Sequence, residues 1–394
     1  MTLPTKVSEQ RPPVILSLAF RPFFLAASLW SALALTLWID LFLTGEALPS
    51  RFDPLNWHIH EMLFGFVLAA IAGFILTAIP NWTGRTPICG KPLALLVILW
   101  LLGRIVCLES AHIPFWIGAS IDLAFPFALC AVATYQIIAA RNWRNLAMPI
   151  PIAVLGVADL AMYLEIAGFA VPPGLGWRLG LAAIIVLISA VASRIIPNFT
   201  RNWLLKRGIT ELPAAHGLID RIALGILHAG VIGWALLPTF APFGTLLLIA
   251  ALLNSLRLVR WRWAATLTEP LLAVLQLGYL WICVGSGLLG ASLLTNAIPE
   301  AAAVHAFTAG AIGTMVLAIM TRVSRGHTGR PLEADYVTIL IYLIVNVAAA
   351  TRIAAAFAVG SSALLLKTSA VLWVAGFVLF AISHWRMLVA PRLA

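Results

Sequence analysis

In NWHIHEMLFGFVLAAIAGFILTAIPNWTGR, Asn56 to Arg85, no charged side chain falls between Glu61 and Arg85. A hydrocarbon core about 30 Å thick takes roughly 20 helical residues to cross, so this stretch alone is long enough to span a bilayer. Similar stretches recur along the 394-residue chain, which is 62% apolar and only 10% charged. A soluble domain carries roughly 25% charged residues. The pattern predicts an all-α polytopic membrane protein of about twelve transmembrane helices. They are placed near 22–44, 58–80, 91–110, 113–140, 146–168, 176–197, 215–237, 243–260, 269–294, 300–323, 334–357 and 362–385. The connections are too short to hold a separate soluble domain, so residues 1–394 read as a single integral membrane domain.

The net charge of +10 has a topological reading. An even number of spans puts both termini on one side. Twenty of the basic residues, Lys6 and Arg11 among them, fall on that side and five on the other. By the positive-inside rule both termini are cytoplasmic. The excess therefore needs no nucleic-acid partner. Cys89, Cys107, Cys130 and Cys283 have no CxxC or zinc-type spacing. The N-terminal segment lacks a small-residue cleavage signature, so the first span is expected to serve as the insertion signal.

Three segments end alike: IPNWTGR (79–85), IPNFTRN (196–202) and SRGHTGR (324–330). Trp-Arg pairs follow at a similar distance in NWR (142–144), RWR (260–262) and HWR (384–386). Pro22, Pro149 and Pro270 stand at the starts of the corresponding first helices, where a missing N–H costs least. The chain thus reads as a threefold repeat of four-helix units near 20–145, 146–263 and 264–387. In that register His60 matches His305, Gly65 matches Gly310, and the middle unit carries Trp177.

Histidine is the commonest protein ligand for haem iron and copper. Ionisable groups inside a membrane are costly and usually functional. At 1.5 Å per helical residue, His58, His60, His228 and His305 all fall in the outer half of the membrane. Residues two apart on a helix point to different sides, so His58 and His60 serve different neighbours. His58 shares its face with Glu61 and Met62, and His60 shares its face with Phe64 and Val67. The small residues that follow allow either close helix packing or room for a flat macrocycle. Asp122, Asp159, Arg104 and Arg352 are expected at similar depth. The arginines would pair either with these acids or with haem propionates.

RPFFL (21–25), WHIHEMLFG (57–65), IPNWTGR, IPNFTRN and HAFTAGAIGTMVLAIMTRVSRGHTGR (305–330) resemble the signature segments of the NnrS family over nearly the whole chain. The resemblance implies a bacterial inner-membrane protein that carries haem, of b type, and copper, and that protects against nitric oxide. Haem-copper oxidases and nitric oxide reductases offer a looser analogy, since they too arrange twelve helices with pseudo-threefold symmetry. Here, however, the sixth span has no histidine and the seventh has one.

The leading expectation is an oxidoreductase. His60 and His305 would hold haem, assisted by Arg104 and Arg352. His58, His228 and Met62 would hold a second metal, and Glu61 would relay protons. Nitric oxide would enter through the lipid bilayer, and a quinol or periplasmic carrier would donate electrons. The alternatives are a protein that binds or senses nitric oxide or copper without turnover, and a secondary transporter.

Overall fold

The computed structural model describes residues 12–295, 297–358 and 360–393. Lys6 and Arg11 lie outside them. Among the described residues the regular structure is entirely helical, and twelve helices are long and apolar enough to cross a membrane. They are α1 (Phe20–Thr44), α2 (Pro54–Thr83), α3 (Gly90–Leu108), α4 (Phe115–Ala139), α5 (Ile150–Ile166) and α6 (Leu175–Lys206). There follow α7 (Leu218–Leu236), α8 (Ala241–Arg260), α9 (Pro270–Leu294), α10 (Glu300–His327), α11 (Tyr336–Phe357) and α12 (Ser362–Val389).

Local chemistry sets many of the boundaries. Asp53 caps α2 by accepting from the backbone N–H groups of Leu55 and Asn56, both at 3.1 Å, and Pro54 fills the first helical position. α2 ends at Gly84 with φ 68°, a left-handed conformation that glycine adopts without a Cβ penalty. The exits read at IPNWTGR and IPNFTRN are later than expected. Helix continues through Pro80 and Pro197, to Thr83 and Lys206. Of the three prolines read at helix starts, Pro270 is the first residue of its helix, Pro149 caps α5, and Pro22 sits third in α1. None costs an intrahelical bond, because the first four N–H groups have no acceptor within the helix.

Two helices change pitch. α2 becomes a π-helix over Glu61–Val67, and α10 does so over Ala306–Ile312. Each π segment starts on the residue after a histidine, His60 or His305, and each runs seven residues. The wider turn rotates everything downstream relative to the histidine, and such segments occur mostly at functional sites.

The helices pack in chain order, and α12 closes back on α1. At the centre α2, α6 and α10 touch one another. α2 and α10 are the most enclosed, with 83% and 72% of their spanning windows buried. Polar ties close the bundle. Arg21 is 2% exposed and donates to the carbonyls of Met387, Leu388 and Ala390 at 3.1, 3.0 and 2.7 Å. Trp373 Nε1 donates to Ser31 at 2.8 Å. Arg257 is fully buried and joins Asp220 (2.9 Å), Asn254 (2.8 Å), Ser193 (2.6 Å) and Tyr279, so it links α6, α7, α8 and α9. Arg21 and Arg257 belong to the basic excess, and both serve as structural ties.

Arg21→Ala removes the donor that joins the first helix to the last. At about 1.5–3 kcal/mol for hydrogen bonds to a charged group, the expected loss is about 2–4 kcal/mol. Thermal unfolding in detergent measures it, with Arg21→Lys restoring part. An unchanged midpoint in Arg21→Ala would show that these contacts do not hold the seam.

Candidate metal site

The turn of α2 that carries His58, His60, Glu61 and Met62 distributes them between two environments. His60 and Glu61 enter a buried ion network. His58 and Met62 line a cavity.

In the network, His60 Nδ1 lies 3.0 Å from Glu61 Oε1. His60 Nε2 lies 2.9 Å from Asp159 Oδ1 and 3.1 Å from Asp122 Oδ2. Arg104 contacts both oxygens of Glu61 at 2.7 Å and Asp122 Oδ1 at 2.5 Å. Tyr163 donates to Asp122 Oδ2 at 3.0 Å, and Trp30 Nε1 donates to Glu61 Oε2 at 2.8 Å. Cys107 Sγ is 3.4 Å from His60 Nδ1. His60, Glu61, Arg104, Asp122 and Asp159 are each at most 2% exposed. Buried charges are tolerable only when paired and hydrogen-bonded, and these residues from α2, α3, α4 and α5 pair with one another, with Arg104 Nε and Asp159 Oδ2 left without a hydrogen-bond partner among the described residues. Gly65 permits the approach, since a Cβ there would come within 2.6 Å of Trp30 Nε1 and 2.9 Å of Arg104.

Two triads in this network have metal-ligating types close together: His60, Glu61 and Cys107, and His60, Asp122 and Asp159. The Arg104 guanidinium already occupies lone pairs of Glu61 and Asp122, and a cation would have to displace or face it. The donors fit an ion network better than a metal.

The cavity is about 180 Å³ and lies between α1, α2, α6, α10, α11 and α12, at the end of the bundle where α2 and α10 begin. His58, His305, Met62 and Arg352 line it, with indole walls from Trp38, Trp177 and Trp373. No carboxylate does. The His58 ring stacks on Trp38 with centroids 4.2 Å apart, and its Nδ1 is buried with no hydrogen-bond partner among the described residues. His305 Nδ1 donates to the Ala301 carbonyl at 2.7 Å. That bond leaves Nε2 with its lone pair, as a metal-ligating histidine requires. Arg352 has no salt-bridge partner among the described residues.

The cavity fits haem by its donors: two imidazoles with free nitrogens, a cation for a propionate, and aromatic and aliphatic walls. It also fits a soft copper ion through His58, His305 and the Met62 thioether. The unpaired guanidinium favours the anionic group over a bare cation.

Several sequence expectations change place. His305 shares its cavity with His58, whereas His60, expected as its partner in holding haem, has both ring nitrogens engaged by carboxylates. Glu61 faces Arg104, so it sits with His60 and does not line the cavity. A carboxylate facing apolar walls would have no partner, and the guanidinium supplies one. Arg104 pairs with acids, while Arg352 lines the cavity. His228 Nε2 contacts Ser189 Oγ at 2.9 Å and is not part of the lining. The two glycines expected to correspond serve packing: Gly65 accommodates Trp30 and Arg104, and Gly310 accommodates Trp281. Trp38, Cys107 and Tyr163 were missed, since nothing in the local sequence marks an indole, a thiol or a phenol as a neighbour of histidine.

The fold and this cavity define a polytopic helical membrane protein with a histidine-lined site buried among its spans. The family model described as NnrS protein matches residues 14–392, and the chain belongs to the NnrS family. No curated protein matches it.

Arg104→Ala would leave Glu61 and Asp122 buried without their cation. The expected cost is about 3–5 kcal/mol, read as loss of folded protein in detergent. Adding Glu61→Gln and Asp122→Asn should recover part of it. A triple variant no more stable than the single one would refute charge pairing as the cause.

Proposed function

We propose that the cavity lined by His58 and His305 holds haem, and that the protein captures nitric oxide there as part of a bacterial nitric oxide response. One observation carries this reading: two imidazoles with free nitrogens face a single cavity beside an unpaired arginine, with no acid in the lining. Membership of the NnrS family agrees with it. The cavity lies in the outer half of an inner membrane, with both termini cytoplasmic, by the distribution of basic residues. The matched π segments after His60 and His305 support a correspondence between the first and third units, while α6 of the middle unit is α-helical throughout.

Haem bound here would supply an iron centre that takes up nitric oxide. The residues have distinct tasks. His58 and His305 would hold the group by ring nitrogens, and the Ala301 carbonyl orients His305. Arg352 would pair with a propionate. Trp38, Trp177 and Trp373, which line the cavity, would shield the bound group from water. Met62 supports a second reading, in which the same imidazoles take Cu(I).

Reduction is the further step that the ion network supports. Two molecules of nitric oxide, two electrons and two protons give nitrous oxide and water. A quinol or periplasmic carrier would supply the electrons. His60, Glu61, Asp122 and Asp159 form a hydrogen-bonded set able to hold protons next to the turn that bears His58. Glu61 is then a member of a store, since it does not open on the cavity.

Reduced-minus-oxidised spectra of the purified protein test the assignment. His58→Ala and His305→Ala should each lose the haem band. The band should persist in whatever His60→Ala protein folds. Arg352→Ala should weaken haem retention by about tenfold, the effect of ~1.4 kcal/mol. Normal haem content in both His58→Ala and His305→Ala would refute the site. With a reductant present, nitrous oxide beyond one equivalent per protein indicates reduction, whereas stoichiometric nitrosylation without product indicates capture alone.

A further inference from the structure

A second cavity, of about 80 Å³, lies at the centre of the bundle between α2, α6 and α10, with Phe24 of α1 also in its wall. Val67, Ala70, Ile188, Val191, Met315 and Ile319 form much of the lining, and no polar side chain joins them. Val67 also lines the cavity of His58 and His305, so the two share a wall at the last residue of the α2 π segment. Toward the other end, Ile195 on α6 and Ile319 and Met320 on α10 line it. One turn further along the same helices, the Arg322 guanidinium lies over the Phe199 ring at 4.0 Å. This cation–aromatic pair stands beyond the cavity, at the end away from the histidines.

Close packing is the norm in protein interiors. A void on the central axis where three helices meet forgoes contacts those helices would otherwise make. An entirely apolar cavity of this kind offers a water molecule no hydrogen-bond partners, so it stays dry and takes up small apolar guests such as xenon. Nitric oxide is small, uncharged and weakly polar, and it prefers such a space to water.

We infer that this cavity is an antechamber that concentrates a small apolar gas and passes it by Val67 to the site of His58 and His305. The gas, nitric oxide, rests on the function proposed above; the occupancy of the cavity does not. Lining residues from α2, α6 and α10 give each central helix a part. The π segment ends at Val67, where the change of pitch sets which side chain stands between the two spaces.

Xenon pressurisation of crystals of the full-length protein reads occupancy without any metal. Density for xenon is expected between Ala70, Ile188 and Met315, and it should vanish in Ala70→Phe. Ala70→Leu and Ile188→Phe fill the space more gently, in case the first variant folds poorly. In the reduced protein, these fillings should slow binding of nitric oxide and carbon monoxide by about tenfold and leave the haem spectrum unchanged. Absence of xenon from the wild-type cavity overturns the antechamber and leaves the haem reading standing. Xenon bound in the wild type but gas binding unslowed in the filled variants identifies a packing void and overturns the route. A protein that binds xenon but carries no haem refutes the proposed function, while the cavity stands as a gas site.

Discussion

A bilayer core offers no water to an unpaired polar group, so each buried donor, acceptor and charge must find its partner within the protein. That constraint organises the bundle. Arg21 satisfies the carbonyls at the end of α12, Arg257 gathers four helices, and Arg104 holds Glu61 and Asp122 together around His60. Where the rule is obeyed the structure is fixed. His58 Nδ1 has no hydrogen-bond partner among the described residues, and it lines the same cavity as Arg352.

The same turn of α2 serves both conditions. His60 and Glu61 look into a set of neighbours that compensates them fully. His58 and Met62 look into a space that compensates nothing. The helix manages this by changing pitch at Glu61, which turns the following residues so that Gly65 lies under Trp30 and Arg104, while Met62, Phe66 and Val67 face the cavity. α10 makes the same change after His305. Its histidine, however, bonds the Ala301 carbonyl of its own helix, so its Nε2 stays available. Positions that match in sequence need not share a role once their neighbours differ. His60 meets Asp122 and Asp159, whereas His305 has Arg352 nearby in the cavity wall.

The ion network also sets limits on the chemistry. Its members could hold protons, and its cysteine and carboxylates are of metal-ligating types, yet the guanidinium among them makes a cation unwelcome. The cavity is the reverse: it has soft and imidazole donors and a cation of its own. A group that brings its own negative charge suits it. On the function proposed above, the two environments would suit different cargo, protons in one and an anionic metal-bearing group in the other.

The sequence by itself determined the class, the number of spans and the family. Long uncharged runs can satisfy their backbone only as helices in lipid, and the quoted motifs extend over nearly the whole chain. It also marked His58, His305, Met62 and Arg352 as residues of interest, and helix periodicity separated His58 from His60. Only the tertiary structure decided the partners. Which histidine faces His305 depends on a π turn that hydropathy does not reveal, and on carboxylates from α4 and α5 that are remote in sequence from His60. That Arg104 is compensated and Arg352 is not follows from where Glu61, Asp122 and Asp159 fold. Such choices are made by the cost of an unpaired charge in three dimensions, and a linear pattern does not contain that cost.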